Sequence, residues 1–258
     1  MKLFMSIALG TALMVMQPLT SQGQKSNAGP VNSLSSEEVI EGYQLLFNGK
    51  TTDQWRGAYQ KYFPEKGWVV KEGLLIHEKA EGGESVSGGD IITNKEYNHF
   101  MLSLEWRVAE GGNSGIKYFV KEVEPRTAGS ALGLEYQILD EAKHPDALMG
   151  IEGNRKAAGL YDLIAPPRDK YMKPPGKWNH AVIYSVGNMV RHFLNGKMTV
   201  EYERNTPTFA KLVAESKYKD KPNFGTYTEG HILLQDHGDE VAFRSIKIKI
   251  FPDPGKKK

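Results

Sequence analysis

The sequence predicts an all-β chain folded as an antiparallel β-sandwich or jelly roll. Three observations lead there. A dozen short runs rich in Val, Ile, Leu, Phe, Tyr and Trp are separated by Gly, Asn, Asp and Pro. Several runs alternate apolar and polar residues, the period of a half-buried strand. No helical pattern stands between consecutive runs, so helix-linked parallel strands are not expected.

The elements follow in order. Lys2 precedes Leu3–Met16, an almost wholly apolar stretch broken only by Ser6, Gly10 and Thr11. Pro18 ends it, and Thr20, Ser21 and Gly23 are small. Residues 1–23 thus read as a secretory signal peptide, too short for a comfortable membrane span. The expected location is periplasmic or extracellular, and no other segment approaches membrane-spanning length. Residues 24–40 read as a flexible leader with a short helix. Ser35 or Ser36 caps that helix, and Glu37 and Glu38 suit its positive N-terminal end. Residues 41–252 form a single sandwich domain, and 253–258 a polar tail.

Strands are expected near 43–47, 67–70, 73–77, 90–93, 99–109, 114–121, 133–139, 179–186, 189–194, 197–203, 230–235 and 241–250. Lys71-Glu72-Gly73 and Leu194-Asn195-Gly196-Lys197 read as hairpin turns, because Gly and Asn tolerate positive φ. Residues 140–178 and 203–224 are long excursions, and long loops in compact domains often carry function.

Composition excludes several functions. The 33 basic and 31 acidic residues leave a net charge of +2, against the basic excess of a nucleic-acid binder. There is no cysteine, so disulfides, thiol nucleophiles, thiolate metal sites and an N-terminal lipidated cysteine are all excluded. No Gly-x-Ser-x-Gly elbow occurs. The seven histidines show no zinc spacing. Asp236, His237 and Asp239 offer donor atoms in one tight loop, but no calcium-loop pattern accompanies them. No cofactor is expected, and a divalent metal stays open.

Alternation assigns faces. Leu102, Leu104, Trp106 and Val108 point to the core, which leaves Glu105 and Arg107 opposite. Glu135 and Gln137 oppose Leu134, Tyr136 and Ile138. His231, Leu233, Gln235 and His237 oppose Ile232, Leu234 and Asp236. Three strands therefore each offer polar side chains on one face, as a sugar-binding concave sheet does. Trp178 follows the Pro-rich excursion and is the stacking candidate.

Several segments together resemble one family. They include Leu46-Phe47-Asn48-Gly49-Lys50, Glu105-Trp106-Arg107, and Gly112-Asn113-Ser114-Gly115-Ile116-Lys117-Tyr118. Glu135-Tyr136-Gln137-Ile138-Leu139-Asp140, Gly159-Leu160-Tyr161-Asp162, Leu234-Gln235-Asp236-His237-Gly238 and Phe243-Arg244-Ser245-Ile246 complete the set. The chain resembles the 3-keto-disaccharide hydrolase domain family over about residues 43–250. The resemblance implies a concanavalin-like sandwich. It also implies a carbohydrate substrate, a glycoside whose C3 hydroxyl is oxidised to a ketone. Lys117 departs from the pattern, standing where an aromatic residue is usual.

The implied chemistry removes the C2 hydrogen that the ketone acidifies, expels the C1 substituent and adds water. It needs a base, a donor to the C3 oxyanion and an acid for the leaving group. Glu105 and His237 are the expected proton-transfer groups, Arg107 the oxyanion donor, and Glu135 a second acid or base. Gln137, Gln235, Asp140, Tyr118, Tyr161 and Trp178 are the expected substrate contacts. Two other readings use the same fold. One is a non-catalytic carbohydrate-binding module. The other is an ordinary glycosidase with Glu105 and Glu135 as its carboxylate pair.

Overall fold

A computed structural model describes residues 30–255 apart from 82, 84–86 and 125–130. The expected signal peptide, residues 24–29 of the leader and residues 256–258 of the tail lie outside the described residues. Helix α1 (Ser36–Ile40) opens the described chain. Ser35 caps it through the Glu38 N–H, and the Glu38 carboxylate accepts the Ser35 N–H, a closed capping box. The leader is tied down here, contrary to expectation. The Asn32 side chain donates to Gly73 O and accepts from the Ser245 N–H, and Lys247 pairs with Glu38.

Thirteen strands follow: β1 (Tyr43–Leu45), β2 (Trp55–Gly57), β3 (Trp68–Lys71), β4 (Leu74–His77), β5 (Ile91–Thr93), β6 (Phe100–Val108), β7 (Asn113–Glu122), β8 (Ala131–Leu139), β9 (Asn179–Val186), β10 (Met189–Leu194), β11 (Lys197–Glu203), β12 (His231–Leu234) and β13 (Val241–Ile250). Every expected strand is present. The additional one, β2, has three residues, too few to show an alternation. Helix α2 (Pro207–Ala214) is also additional and lies within the second excursion. Its local signals are Thr206 as cap and Pro207 in the first turn, and it buries Phe209. The two expected hairpin turns hold, with Glu72 and Gly73 at φ 52° and 77°, and Asn195 and Gly196 at 49° and 84°. Two consecutive left-handed residues are what a type I′ turn requires.

The strands form two antiparallel sheets. The larger runs β11-β10-β9-β6-β13-β4-β3, with β1 also paired to β13. The smaller runs β2-β5-β12-β7-β8. One apolar core lies between them, built from Phe100, Leu102, Leu104 and Trp106 of β6 against Ile116, Tyr136, Ile138, Ile232 and Leu234 of the smaller sheet. This is the concanavalin-like sandwich expected. Each large apolar side chain so buried contributes roughly 1.5–3 kcal/mol before entropy is set against it.

Tyr118 belongs to this core and not to a substrate site. It shares the inward face with Ile116, is fully buried, and its hydroxyl lies 2.7 Å from His192 Nε2 and 2.6 Å from the Tyr202 hydroxyl. Burial pushes the His192 pKa down to about 3. The unfolded chain titrates this group near 6.5, so between these values the unfolded state binds the extra proton. The melting temperature therefore falls as pH drops from 6.5 towards 4. His192→Gln removes that part of the slope, which calorimetry across the range measures.

Candidate active site

Alternation holds along each strand, but the polar faces belong to different sheets. Strand β6 lies in the larger sheet and β8 in the smaller one, with the core between them. Glu105 and Arg107 therefore face outward on one side of the sandwich, and Glu135, Gln137 and His237 on the other. This corrects the expected four-residue catalytic set, which cannot meet one substrate.

On the larger sheet, Glu105 accepts two hydrogen bonds from Arg244, at 2.9 and 3.3 Å. The Arg244 and Arg107 guanidinium carbons stand 4.1 and 5.1 Å from the Trp178 ring. Trp178 is thus engaged by arginines on the face away from His237. A cavity of about 630 Å³ opens beside Glu105, His180 and Arg244.

The smaller sheet gathers the other candidates. Lys117 of β7 pairs in register with Glu135 of β8, and Gly115 with Gln137. Strand β12 flanks β7 on the other side, and the Gln235 N–H donates to Gly115 O at 3.0 Å. Lys117, Glu135, Gln137 and Gln235 so come together by backbone register alone. Lys117, which departs from the family pattern, thus lies on this face.

The first excursion follows the free edge of β8. Ala158 and Tyr161 donate their N–H groups to Gln137 O and Glu135 O, at 2.8 and 3.0 Å. That register sets Tyr161 beside Glu135. Arg155 clamps the excursion by pairing with Asp146 and Asp162, at 3.0 and 2.5 Å. Asp162 in turn accepts the Lys217 N–H at 2.7 Å, which binds the second excursion to the first. Lys217 lies in an exposed turn, yet its ammonium reaches within 4.2 Å of the Tyr161 ring centre.

His237 follows β12 in a turn fixed by Asp236. That buried carboxylate accepts the N–H groups of Gly238 and Gly89, at 2.9 and 3.0 Å, and pairs with His77 Nε2 at 2.9 Å. The His237 ring lies edge-on to His144, centroids 5.7 Å apart, and its Nε2 is 3.2 Å from Asn113 Nδ2. Asn113 is the first residue of β7 and touches His237 there.

Asp140 is a structural residue rather than a substrate contact. Its two oxygens accept the N–H groups of Gly111 and Ala142, at 2.7 and 3.1 Å, and it is buried. Gln137 is also buried, with its Oε1 accepting the Ile138 N–H at 3.0 Å.

The electrostatics centre on Glu135. Burial is the largest influence and holds its carboxyl above the ordinary carboxylate range, against the pull of Lys117, Lys217 and His237. A carboxylate so placed is a stronger base than one in water, and two ammonium groups stand near enough to stabilise an anion formed beside it. Tyr161 is raised by burial, and the Glu135 and Asp146 charges add to this.

Gly115 leaves room for that carboxylate. A Cβ at position 115 would stand 2.5 Å from Glu135 Oε1. The obstacle is the end of a flexible side chain, so the fold tolerates it and the carboxylate moves. Gly115→Ala is expected to melt within a few degrees of the parent while losing on the order of tenfold or more in kcat, since small displacements of catalytic groups are costly. Melting curves and steady-state rates on the same preparation check both halves.

Residues 42–249 match the sequence profile of the 3-keto-alpha-glucoside-1,2-lyase-like domain. The chain belongs to this family. A 3-keto-disaccharide hydrolase of Bacteroides thetaiotaomicron is 36% identical over 250 residues, covering 89% of this chain and 86% of that one. Among solved structures, a Parabacteroides distasonis protein described as a glycosyl hydrolase superposes with a TM-score of 0.75 at 30% identity. It covers 86% of this chain and all of its own. A second such protein from the same organism gives 0.58 at 26% identity, covering 81% and 99%. The protein is thus a carbohydrate-active, hydrolase-like member of the 3-keto-alpha-glucoside-1,2-lyase-like family, and the matched span contains every residue of the smaller-sheet cluster. No helix among the described residues is long and apolar enough to cross a membrane.

Two of these residues, His144 and Lys217, had no signal in the sequence. Each stands in an excursion with no periodicity, and only the packing of the excursions onto β8 brings them to the face.

Proposed function

We propose that the protein cleaves 3-keto glycosides on the outer face of the smaller sheet. The observation that carries this reading is the buried Glu135 carboxylate, flanked by Lys117, Lys217 and His237 in a member of this family. Glu135 takes the C2 proton, and the electron pair flows to the C3 oxygen. Lys117 and Lys217 stabilise the resulting oxyanion. His237 delivers a proton to the C1 substituent as the C1–O bond breaks. Water then adds to C1 of the enone and restores the C2 hydrogen, giving net hydrolysis. Gln235 and Tyr161 line the same face as sugar contacts. The apolar segment at the N-terminus supports export.

The two-carboxylate alternative loses its pair. Glu105 and Glu135 sit on outer faces of two sheets that pack about 10 Å apart. Retaining and inverting glycosidases need about 5–5.5 Å and 6.5–9.5 Å between their carboxyl groups.

The test supplies the purified chain with a 3-keto-glucoside bearing a chromogenic aglycone, and with its unoxidised parent. Release from the keto form alone is expected. Release from both means an ordinary glycosidase using other groups. Binding of either sugar without release means a binding module.

A further inference from the structure

Three ligand-bearing side chains converge at the rim of the candidate active site. We propose that His144, His237 and Asp239 bind one divalent first-row transition cation. Each offers one donor atom, and these atoms lie within 4.8 Å of one another. They come from two separate segments, the first excursion and the loop after β12, so the convergence is tertiary and not an accident of neighbouring positions. Two imidazoles and one carboxylate suit zinc, manganese, iron or cobalt; calcium and magnesium prefer oxygen-only sets.

A second observation points the same way. Asn113 is only 2% exposed, and its Oδ1 has no hydrogen-bond partner among the described residues. Its Nδ2 lies 3.2 Å from His237 Nε2, so the orphaned oxygen is at the cluster. Buried amide oxygens are almost always satisfied. A cation, or a water bound to one, satisfies this one.

The surroundings are arranged for coordination. Asp239 Oδ2 accepts the Asn113 N–H at 3.0 Å, which orients the carboxylate. His144 Nδ1 accepts the Asp146 N–H at 3.2 Å. Coordination through Nε2 requires the proton on Nδ1, so this one long hydrogen bond is given up. The role of the ion, though not its binding, rests on the function proposed above: beside Glu135 it would polarise the C3 ketone of the substrate, and the leaving-group proton given above to His237 would come from a water on the ion, because a coordinated imidazole has none to give.

Cobalt(II) titration of the chelator-treated chain tests the site without turnover. One equivalent is expected, with a visible absorption band of a nitrogen- and oxygen-coordinated ion. Asp239→Asn and His144→Gln should each weaken binding at least about tenfold while leaving the circular dichroism spectrum unchanged. Wild-type affinity in both variants, or no stoichiometric uptake, overturns the inference. Should a variant fail to fold, the wild-type chain supplies the answer through histidine modification by diethylpyrocarbonate. Zinc is expected to protect His144 and His237, and unprotected modification of both sinks the idea. A chain that takes up the ion yet cleaves no keto glycoside overturns the proposed function alone. A chain that takes up the ion yet cleaves equally well without it overturns the role given to the ion and leaves its binding standing.

Discussion

Glu135→Gln lowers kcat on a 3-keto-glucoside by about 10²–10⁴-fold, the range that a positioned acid–base group supplies. The substitution keeps the shape of the side chain and removes only its basicity. Because burial raises the Glu135 pKa, the charged form costs the fold something at neutral pH. The sign follows: the unfolded chain ionises this group more readily, so stability drops as pH rises through the interval between the two pKa values. Glu135→Gln should therefore melt no lower than the parent while losing activity, the pattern of a functional site held against stability. The same raised pKa fixes the acid limb of the rate profile. The base must be deprotonated, so kcat/KM falls on acidification at a pH above the ordinary carboxylate range. The matching change on the other sheet, Glu105→Gln, gives the contrast. It breaks a partly exposed pair with Arg244, costs at most about 1 kcal/mol, and leaves turnover within twofold. Equal losses in the two variants would refute the division of the faces.

Asp236→Ala is expected to cost about 3–5 kcal/mol, the usual consequence of removing one partner of a buried ion pair. Both side chains of the His77–Asp236 pair are fully buried. His77 Nδ1 lies 3.0 Å from Asp239 O, and Nε2 lies 3.2 Å from Ser87 O as well as 2.9 Å from Asp236. Only oxygens face the ring nitrogens, so the ring is doubly protonated. Burial alone would lower its pKa, but the Asp236 hydrogen bond leads the contributions that raise it overall. Burial likewise opposes Asp236, whose pKa the His77 hydrogen bond brings down. The pair stabilises fully below the unfolded histidine value and above the unfolded aspartate value, roughly pH 4 to 6.5. Its contribution fades as pH rises through the raised His77 pKa, or falls through the lowered Asp236 pKa. Urea unfolding at pH 5.5 and 8.5 should show a smaller difference between parent and variant at the higher pH. Asp236 also aims the neighbouring residue, so the folded variant should lose turnover through a displaced His237.

The motif around Asp236 shows how much the sequence could say about the site. The tight, self-satisfied loop was legible there, because Asp and Gly beside a strand end favour local hydrogen bonding. That Asp236 would serve the fold while His237 served the face was also implicit, since the two alternate. The partners of each were not. His77 reaches Asp236 only through the pairing of β4 with β13 in the larger sheet, and His144 reaches His237 only because the first excursion folds over β7 and β8. Lys217 is placed by one hydrogen bond from its backbone to Asp162. Tyr118 shows the opposite limit: its neighbour Lys117 lies on the candidate face, and alternation alone put Tyr118 with Ile116 in the core.

By itself the sequence determined twelve of the thirteen strands among the described residues, the two hairpin turns and the alternating faces of β6, β8 and β12, because propensity and the two-residue period are local properties. Tertiary structure decided which outer side. Glu105 and Glu135 carry the same local pattern, and nothing within either segment tells them apart. Strand β6 found β9 and β13, while β8 found β7, and these long-range hydrogen-bonded registers put a hydrophobic core between two carboxylates that the sequence presents alike.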